Sequence, residues 1–290
     1  FFNQEIAPYQ VEDNWTKFKT GEYRREMNQI KSIEGNVVTL EAPIAMDINA
    51  QYKCEARLMK LGTHFAIENM TMRGNWKDTF VHHKNAIHDS GWSALSISKY
   101  ADSWLKNVRF IDWNSNAHIS SSIFSSFINV NYEGNRGHSS ILTSGTFGIL
   151  ISHSNDYSDK GMFHAQGVES YSSVSVFHKI KWPQDTTFDS HASFPHATLF
   201  DRVDGGFTNT SGGNGGADSS QPNHMEDLIF WNFKDLGAQD DVLHDWWRTL
   251  SKYHRFYLPK FVGWHGALAK FKDTQVGLNE SHGVAVYPES

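Results

Sequence analysis

A net charge of −6 over 290 residues makes this chain mildly acidic, which disfavours nucleic acid as its main partner. No apolar run approaches the roughly 20 residues of a membrane-spanning helix, so we expect no membrane insertion. A single cysteine excludes an internal disulfide framework. The chain begins at Phe1 without a charged-then-apolar leader, and we expect it to be a piece of a longer, processed protein.

Short strand-like segments recur in chain order. Most of them alternate apolar with polar residues or are flanked by Gly, Asn, Asp and Ser, as β-strands are. They cover residues 67–72, 105–110, 127–132, 147–151, 174–177, 197–200 and 228–231. Because solenoids grow one coil at a time and need no second core, residues 1–290 are interpreted as one domain. We predict an all-β fold, a right-handed parallel β-helix with long loops.

Three asparagines occupy the same place in successive segments. Asn69, Asn107 and Asn129 each stand just before the last apolar pair. In a β-solenoid, side-chain amides at such a position can bond to the coils above and below. We predict an asparagine ladder, and a run of exposed turn asparagines is the alternative.

Four histidines recur in the middle of the chain, at His118, His138, His164 and His191. Their separations are 138−118 = 20, 164−138 = 26 and 191−164 = 27, about the length of one coil. Strands in adjacent coils lie about 4.8 Å apart, so equivalent positions would bring the rings close together on one face. Asp189 lies two residues before His191, on the same face of a strand, and could orient its imidazole.

We assign catalytic roles to His138, His164 and His191, and substrate binding to His118 and Asp189. Other side chains suit an acidic sugar, because cations neutralise its charge and exposed indoles cover its apolar faces. The further substrate-binding candidates are Arg136, Lys179, Arg202, Trp92 and Trp182. A solvated surface cation or a packed indole is the alternative for each of them.

The segment 81–89 is dense in histidine, with His82, His83 and His88. Its spacing matches no zinc signature, and adjacent histidines in a strand point to opposite faces. We expect a loop that overhangs the groove and assign no metal ligands. No cofactor is required by the sequence, and Ca²⁺ is retained as an optional one.

The C-terminal third is less regular. The Gly/Ser/Asn-rich stretch 208–220 is interpreted as a long loop, because a strand pattern resumes after it. Residues 240–248 are predicted to form a short helix and residues 256–266 a strand that returns to the solenoid. Together they are expected to form a short capping segment over the open end.

These parts suit cleavage of an acidic polysaccharide by β-elimination, in which a base removes the proton α to a uronic carboxylate and an acid protonates the leaving oxygen. Hydrolysis needs two carboxylic acids across the bond. Asp156, Asp159, Glu169, Asp189 and Asp201 form no obvious pair in the coil register. A glycoside hydrolase acting through Asp189 or Asp201 and a non-catalytic carbohydrate-binding β-helix are the alternatives. The sequence does not determine the oligomeric state.

Two stretches carry a family resemblance. Residues 33–44 followed by 67–71 resemble the first coils of pectate-lyase-like β-helix proteins, and residues 137–201 are similar to secreted bacterial β-helix enzymes acting on anionic polysaccharides. The fucoidan lyases are the nearest group. The resemblance implies a secreted, periplasmic or cell-surface bacterial enzyme that cleaves a uronic-acid-containing polysaccharide, sulfated polymers included.

Overall fold

The computed structural model describes residues 2–3, 13–17, 24–207, 215–237, 242–246 and 257–287. Within these residues, parallel strands from successive coils stack into long sheets, which confirms the predicted parallel β-helix. The elements are β1 Phe2–Asn3, β2 Arg24–Arg25, β3 Ile30–Glu34, β4 Val37–Leu40, β5 Cys54–Glu55, β6 Gly62–Thr63, β7 Ala66–Arg73, α1 Ala86–Ser90, β8 Ser93–Ser98, β9 Tyr100–Ala101, β10 Trp104–Ile111, β11 Ser115–Ser120, β12 Ser126–Gly134, β13 Ser139–Ser144, β14 Phe147–Ser152, β15 Asn155–Ser158, β16 His164–Glu169, β17 Ser173–His178, β18 Thr187–His191, β19 His196–Asp201, β20 Asp204–Gly205, β21 Leu228–Trp231, β22 Lys234–Asp235, β23 Leu243–His244, β24 Lys260–Val262, β25 His265–Gly266, β26 Lys270–Phe271 and β27 Leu278–Glu280.

The longest sheet carries all seven predicted strand segments. Its spatial order is β7-β10-β12-β14-β17-β19-β21-β24-β27, with β15 pairing beside β12. Pairing joins residues one coil apart, so that Leu105 lies between Ile67 and Phe127. Alternate side chains of a strand point to opposite faces, and Val108 and Phe110 are accordingly buried. Leu105 is buried as well, because the left-handed backbone of Asn107 interrupts the alternation between Leu105 and Val108. The alternating pattern therefore sets which face meets the core.

Aromatic rings stack along the core from coil to coil. The ring centroids are 4.7 Å apart for Phe177 and Phe200, 4.9 Å for Phe200 and Phe230, and 5.4 Å for Phe230 and Phe261. Equivalent positions in neighbouring strands face the same way, so one aromatic residue per coil builds a continuous column. The rings hold successive coils in a fixed register.

A second parallel sheet carries the histidine segments, in the order β8-β11-β13-β16-β18. Its inward residues Ala117, Ile119 and Ile141 are buried. Its other face carries polar side chains, and His118 on β11 is exposed there. The second sheet therefore presents polar side chains from neighbouring coils, histidine among them, on one side of the molecule.

The predicted asparagine ladder is confirmed. The amide nitrogen of Asn107 donates to the amide oxygen of Asn69 at 2.9 Å, and that of Asn129 donates to Asn107 at 3.0 Å. All three residues have left-handed backbone, with φ between 52° and 55°. Asparagine tolerates this conformation better than most residues, which explains its selection at all three positions.

Two local predictions need correction. Residues 33–44 do not form a first coil, because β3 and β4 pair as an antiparallel hairpin that turns at Gly35. Within 240–248 the predicted helix is replaced at Leu243–His244 by strand β23, which pairs with β26. The other residues of that segment are described only at 242, 245 and 246, and the remainder lies outside the described residues.

The rest of the C-terminal part continues the solenoid. Strand β24 pairs with β21 as expected for 256–266, of which residue 256 lies outside the described residues, and β27 adds a further strand beyond it. Of the loop 208–220, residues 208–214 lie outside the described part. Among the described residues, no helix has the length and apolar character needed to cross a membrane.

Candidate functional site

A cavity of about 210 Å³ lies on the outer side of the second sheet. All four predicted histidines, His118, His138, His164 and His191, contribute to its lining, together with Asp189. The rings of His138 and His164 are closest, with centroids 5.0 Å apart. The structure therefore brings together the residues that the histidine repeat singled out.

The histidines are not equivalent in coil register, which corrects the sequence interpretation. His118 aligns with Leu142, whereas His164 aligns with Ser139 and with Thr187. The pairing of β16 with β18 also shifts between His164 and Gly167. Because a bulge redirects side chains locally, rings from non-equivalent positions reach the same cavity.

Asp189 and His191 form an ion pair in which the carboxylate is buried and the imidazole is partly exposed. One carboxylate oxygen of Asp189 lies 3.1 Å from Nδ1 of His191, and the Asp189 side chain is 2% exposed. Burial alone would favour the neutral ring, but the hydrogen bond and charge of Asp189, with the charge of Glu169, raise the pKa of His191 to about 9. Burial also opposes ionisation of Asp189, yet the neighbouring histidines lower its pKa to about 2. At neutral pH His191 is therefore a cation held against a carboxylate.

His164 lies at the bottom of the cavity. Its residue exposure is 9%, and neither ring nitrogen has a hydrogen-bond partner. Burial lowers the pKa of His164 to about 4, Asp189 opposes this, and His138 and His82 add to it. Nδ1 lies 3.7 Å from the carboxylate of Asp189, too far for a hydrogen bond. A buried neutral imidazole without partners is costly, so the ring marks an incomplete site.

A loop over the sheet delivers a further ring that sequence reasoning did not place in the site. The ring of His82 stacks on Phe163 at 4.3 Å and meets His164 edge-on at 5.4 Å. Helix α1 follows this loop, and its N-cap Asn85 accepts from the backbone N–H groups of Ile87 and His88. The prediction of an overhanging loop is confirmed.

Asn114 anchors the same loop to the second sheet. Its side-chain amide donates to the backbone carbonyls of Ile87, His88 and Gly91. Its side-chain oxygen accepts from the backbone N–H of His138 at 3.1 Å. One buried asparagine thus ties α1 to a cavity histidine.

His82, His138 and His164 converge on one point. Each offers a ring nitrogen, and these atoms all lie within 4.8 Å of one another, so the three rings could hold a metal ion. Burial is the main cause that lowers the pKa of both His82 and His138. Repulsion from neighbouring rings adds to the shift at His82, and the backbone carbonyl of Asp89 opposes it at His138.

His118 forms a second histidine–carboxylate pair. Its Nε2 lies 3.6 Å from a carboxylate oxygen of Glu169, and its side chain is nearly half exposed. Glu169 ends β16, where it pairs in register with His191 on β18. The two histidine–carboxylate pairs therefore adjoin each other at the ends of β16 and β18.

The two tryptophan candidates lie in different environments, one exposed and one buried. Trp92 follows α1 and is 48% exposed, beside the cavity-lining Ser93. Trp182 is 1% exposed, packs against Phe200 and Phe233, and donates its indole N–H to the carbonyl of Gly206. The prediction that Trp182 contacts a sugar is therefore wrong, because its ring belongs to the core.

The cationic candidates lie outside the histidine cavity. Arg136 donates to the backbone carbonyls of Lys160 and Asp185, at 2.6 and 3.0 Å, and burial lowers its pKa. Lys179 and Arg202 line another cavity, of about 400 Å³, at the corners that follow β17 and β19. The expectation that these three cations act beside the histidines is therefore wrong. Glycan binding by Lys179 and Arg202 stays a prediction for the second cavity.

Glycine 215 covers His191 from the loop side. A β-carbon at Gly215 would lie only 2.0 Å from Nδ1 of His191, so only glycine allows this approach. The backbone N–H of Gly215 donates to the carbonyl of Ser190 at 3.2 Å. Neither His82 nor Gly215 carries a periodic signal, and only the density of histidine and glycine in their loops pointed to them.

Comparison with known proteins gives one partial match. Residues 161–290 match the family described as Domain of unknown function (DUF4955). This span includes His164, Asp189 and His191 but neither His82 nor His138. No curated protein and no solved structure shows significant similarity to the chain.

Proposed function

We propose that this protein is a polysaccharide lyase that cleaves an anionic, uronic-acid-containing polysaccharide by β-elimination, sulfated polymers of the fucoidan type included. The observation that carries the proposal is a cavity lined by four histidines and Asp189, with Glu169 next to one of these histidines and His82 next to two of them. A secreted or cell-surface location and a polysaccharide partner are part of the same proposal.

Elimination assigns a role to each group. His118, oriented by Glu169, removes the proton α to the uronic carboxylate, and the electron pair of that C–H bond forms the new double bond. The bond from the ring carbon to the glycosidic oxygen then breaks. His191, protonated against Asp189, gives its proton to the leaving oxygen. The carboxylate, which carries the developing negative charge, faces His82, His138 and His164.

The hydrolase alternative has weaker support. It requires two carboxylic acids on opposite sides of one bond. Asp189 lies on β18 of the second sheet, whereas Asp201 ends β19 of the long sheet. Asp189 is also buried beside His164 and His191, at 3.7 and 3.1 Å, which suits a residue that orients imidazoles.

The test incubates the protein with a panel of uronic polysaccharides, including fucoidan and alginate. The ultraviolet absorbance of the unsaturated uronic product is recorded over time. We expect a rise with the unaltered protein and a decrease of at least about 10²-fold in kcat/KM for His191→Ala and for His118→Ala. His64→Asn serves as the control and should keep full activity, because this exposed histidine lines neither cavity and asparagine tolerates its left-handed backbone. No unsaturated product from any polymer would contradict the proposal.

A further inference from the structure

We propose that His82, His138 and His164 form a binding site for one divalent transition metal ion of the zinc type. The inference rests on the proposed function in one respect only, since it gives the metal the task of facing the substrate carboxylate. The existence of the site depends on geometry alone.

The distances fit after a small adjustment. Three ring nitrogens, one from each residue, lie within 4.8 Å of one another. Around Zn²⁺ with Zn–N distances of about 2.0–2.1 Å, tetrahedral ligand nitrogens are about 3.3 Å apart. A shift of about 1 Å or less per ring closes the difference, and His82 lies on a loop that can supply it.

His164 is the independent sign of a missing ligand. Both of its ring nitrogens are inaccessible to solvent and without hydrogen-bond partners. Nδ1 faces a carboxylate oxygen of Asp189 at 3.7 Å, and that oxygen is itself without a partner. Metal-bound histidines commonly present their second nitrogen to a carboxylate, which fixes the ring. This arrangement leaves Nε2 of His164 for the metal and makes Asp189 the positioning residue behind it.

The donor set selects the class of metal. Three imidazole nitrogens suit Zn²⁺, Co²⁺, Ni²⁺ or Cu²⁺, whereas Ca²⁺ prefers six to eight oxygen ligands. A site with three histidines keeps a fourth position open for water or substrate oxygen.

The metal would supply positive charge, which the three neutral rings alone do not supply. Elimination requires positive charge opposite the uronic carboxylate. A neutral imidazole offers only one N–H donor and no charge. His191 carries a proton, but its charge is balanced by Asp189. A divalent ion on the three rings would bind the carboxylate oxygen directly.

The experiment measures metal binding without substrate. The full chain is freed of metal with a chelator, and Zn²⁺ is titrated by calorimetry while Co²⁺ is followed by its ligand-field absorption. We expect one equivalent with the absorption of a four-coordinate ion. His82→Ala should weaken binding at least 10-fold, and His82→Cys, which restores a zinc ligand, should recover most of it.

The matched control is His118→Ala, which removes a ring from the same cavity that is not one of the three and should bind metal within about threefold of the unaltered protein. Equal metal affinity in His82→Ala and the unaltered protein, or no binding at all, would overturn the site. Unchanged elimination in the chelated protein would overturn the role of the metal. Metal binding without any unsaturated product would instead contradict the proposed function and leave the site standing.

Discussion

At the residue scale, the unusual feature is a pair of buried polar side chains whose hydrogen-bonding capacity is not satisfied. His164 is buried without partners, and Asp189 is buried between two rings. Such groups cost folding free energy unless a ligand completes them. They identify the cavity as a binding site more strongly than the number of histidines does.

The contact between Gly215 and His191 gives a prediction. In Gly215→Ala the new β-carbon cannot remain 2.0 Å from Nδ1 of His191, so the ring or the loop must move. We expect kcat for elimination to fall about 10-fold or more, because a displacement near 1 Å can disrupt catalytic geometry. Metal affinity should change little, since His191 is not among the three ring ligands.

The measurement is steady-state kinetics together with Co²⁺ titration of the same preparation. Gly62→Ala is the control, because its new β-carbon would also meet an aromatic ring, 2.7 Å from Tyr100, at a place away from His191. Full activity in Gly215→Ala would show that the position of His191 does not matter for turnover.

At the element scale, strands were predictable from sequence because burial on one face imposes a period of two. That pattern located β10 and β12 and placed the ladder asparagines correctly. Which side chains meet across coils was less predictable, because the shift between β16 and β18 depends on three-dimensional packing. The overhang of the loop was predictable from its histidine-rich sequence, but the contact of the His82 ring with His164 was not, since α1 and its loop follow no repeat.

The asparagine ladder gives a prediction at the same scale. Asn107 donates to Asn69 and accepts from Asn129, with φ at 55°. Asn107→Gly keeps the left-handed backbone but loses both amide bonds, whereas Asn107→Ala also adds backbone strain. We expect the free energy of unfolding to fall by about 1 kcal/mol for the glycine variant, and by roughly 1 kcal/mol more for the alanine variant.

Urea denaturation of the two variants measures these differences. A glycine variant as stable as the unaltered protein would mean that the exposed ladder bonds are replaced by water without cost. Equal stability of the alanine and glycine variants would mean that the left-handed backbone carries no strain.

At the scale of the whole molecule, the β-helix places the candidate site on the outer side of one sheet and the column of aromatic rings in its interior. Buried histidines are among the buried groups that respond to pH. Burial lowers the pKa of His224 to about 3 and that of His244 to about 4. The unfolded chain binds protons on these rings near pH 6.5, whereas the folded chain does not.

The folded protein should therefore be less stable in acid than at neutral pH. Stability from these two rings is fully present above about pH 6.5 and is lost as the pH falls toward their folded pKa values. Each ring should lower the free energy of unfolding by on the order of 1 kcal/mol per pH unit in that window. Urea midpoints measured between about pH 7 and about pH 5 test this expectation.

His244→Leu provides the comparison. Nδ1 of His244 is buried without a partner among aromatic rings, so the substitution should preserve stability at neutral pH and reduce the acid slope. An unchanged slope in His244→Leu would show that this ring does not contribute to acid sensitivity.

The mass balance of cleavage tests directly whether the protein acts by β-elimination. A uronic oligosaccharide of known mass is digested by the full chain, and the product masses are read by mass spectrometry. Elimination at the histidine cavity predicts two products whose masses sum to that of the substrate, one of them unsaturated. Products whose masses sum to the substrate plus one water would contradict the account and assign the protein to hydrolysis.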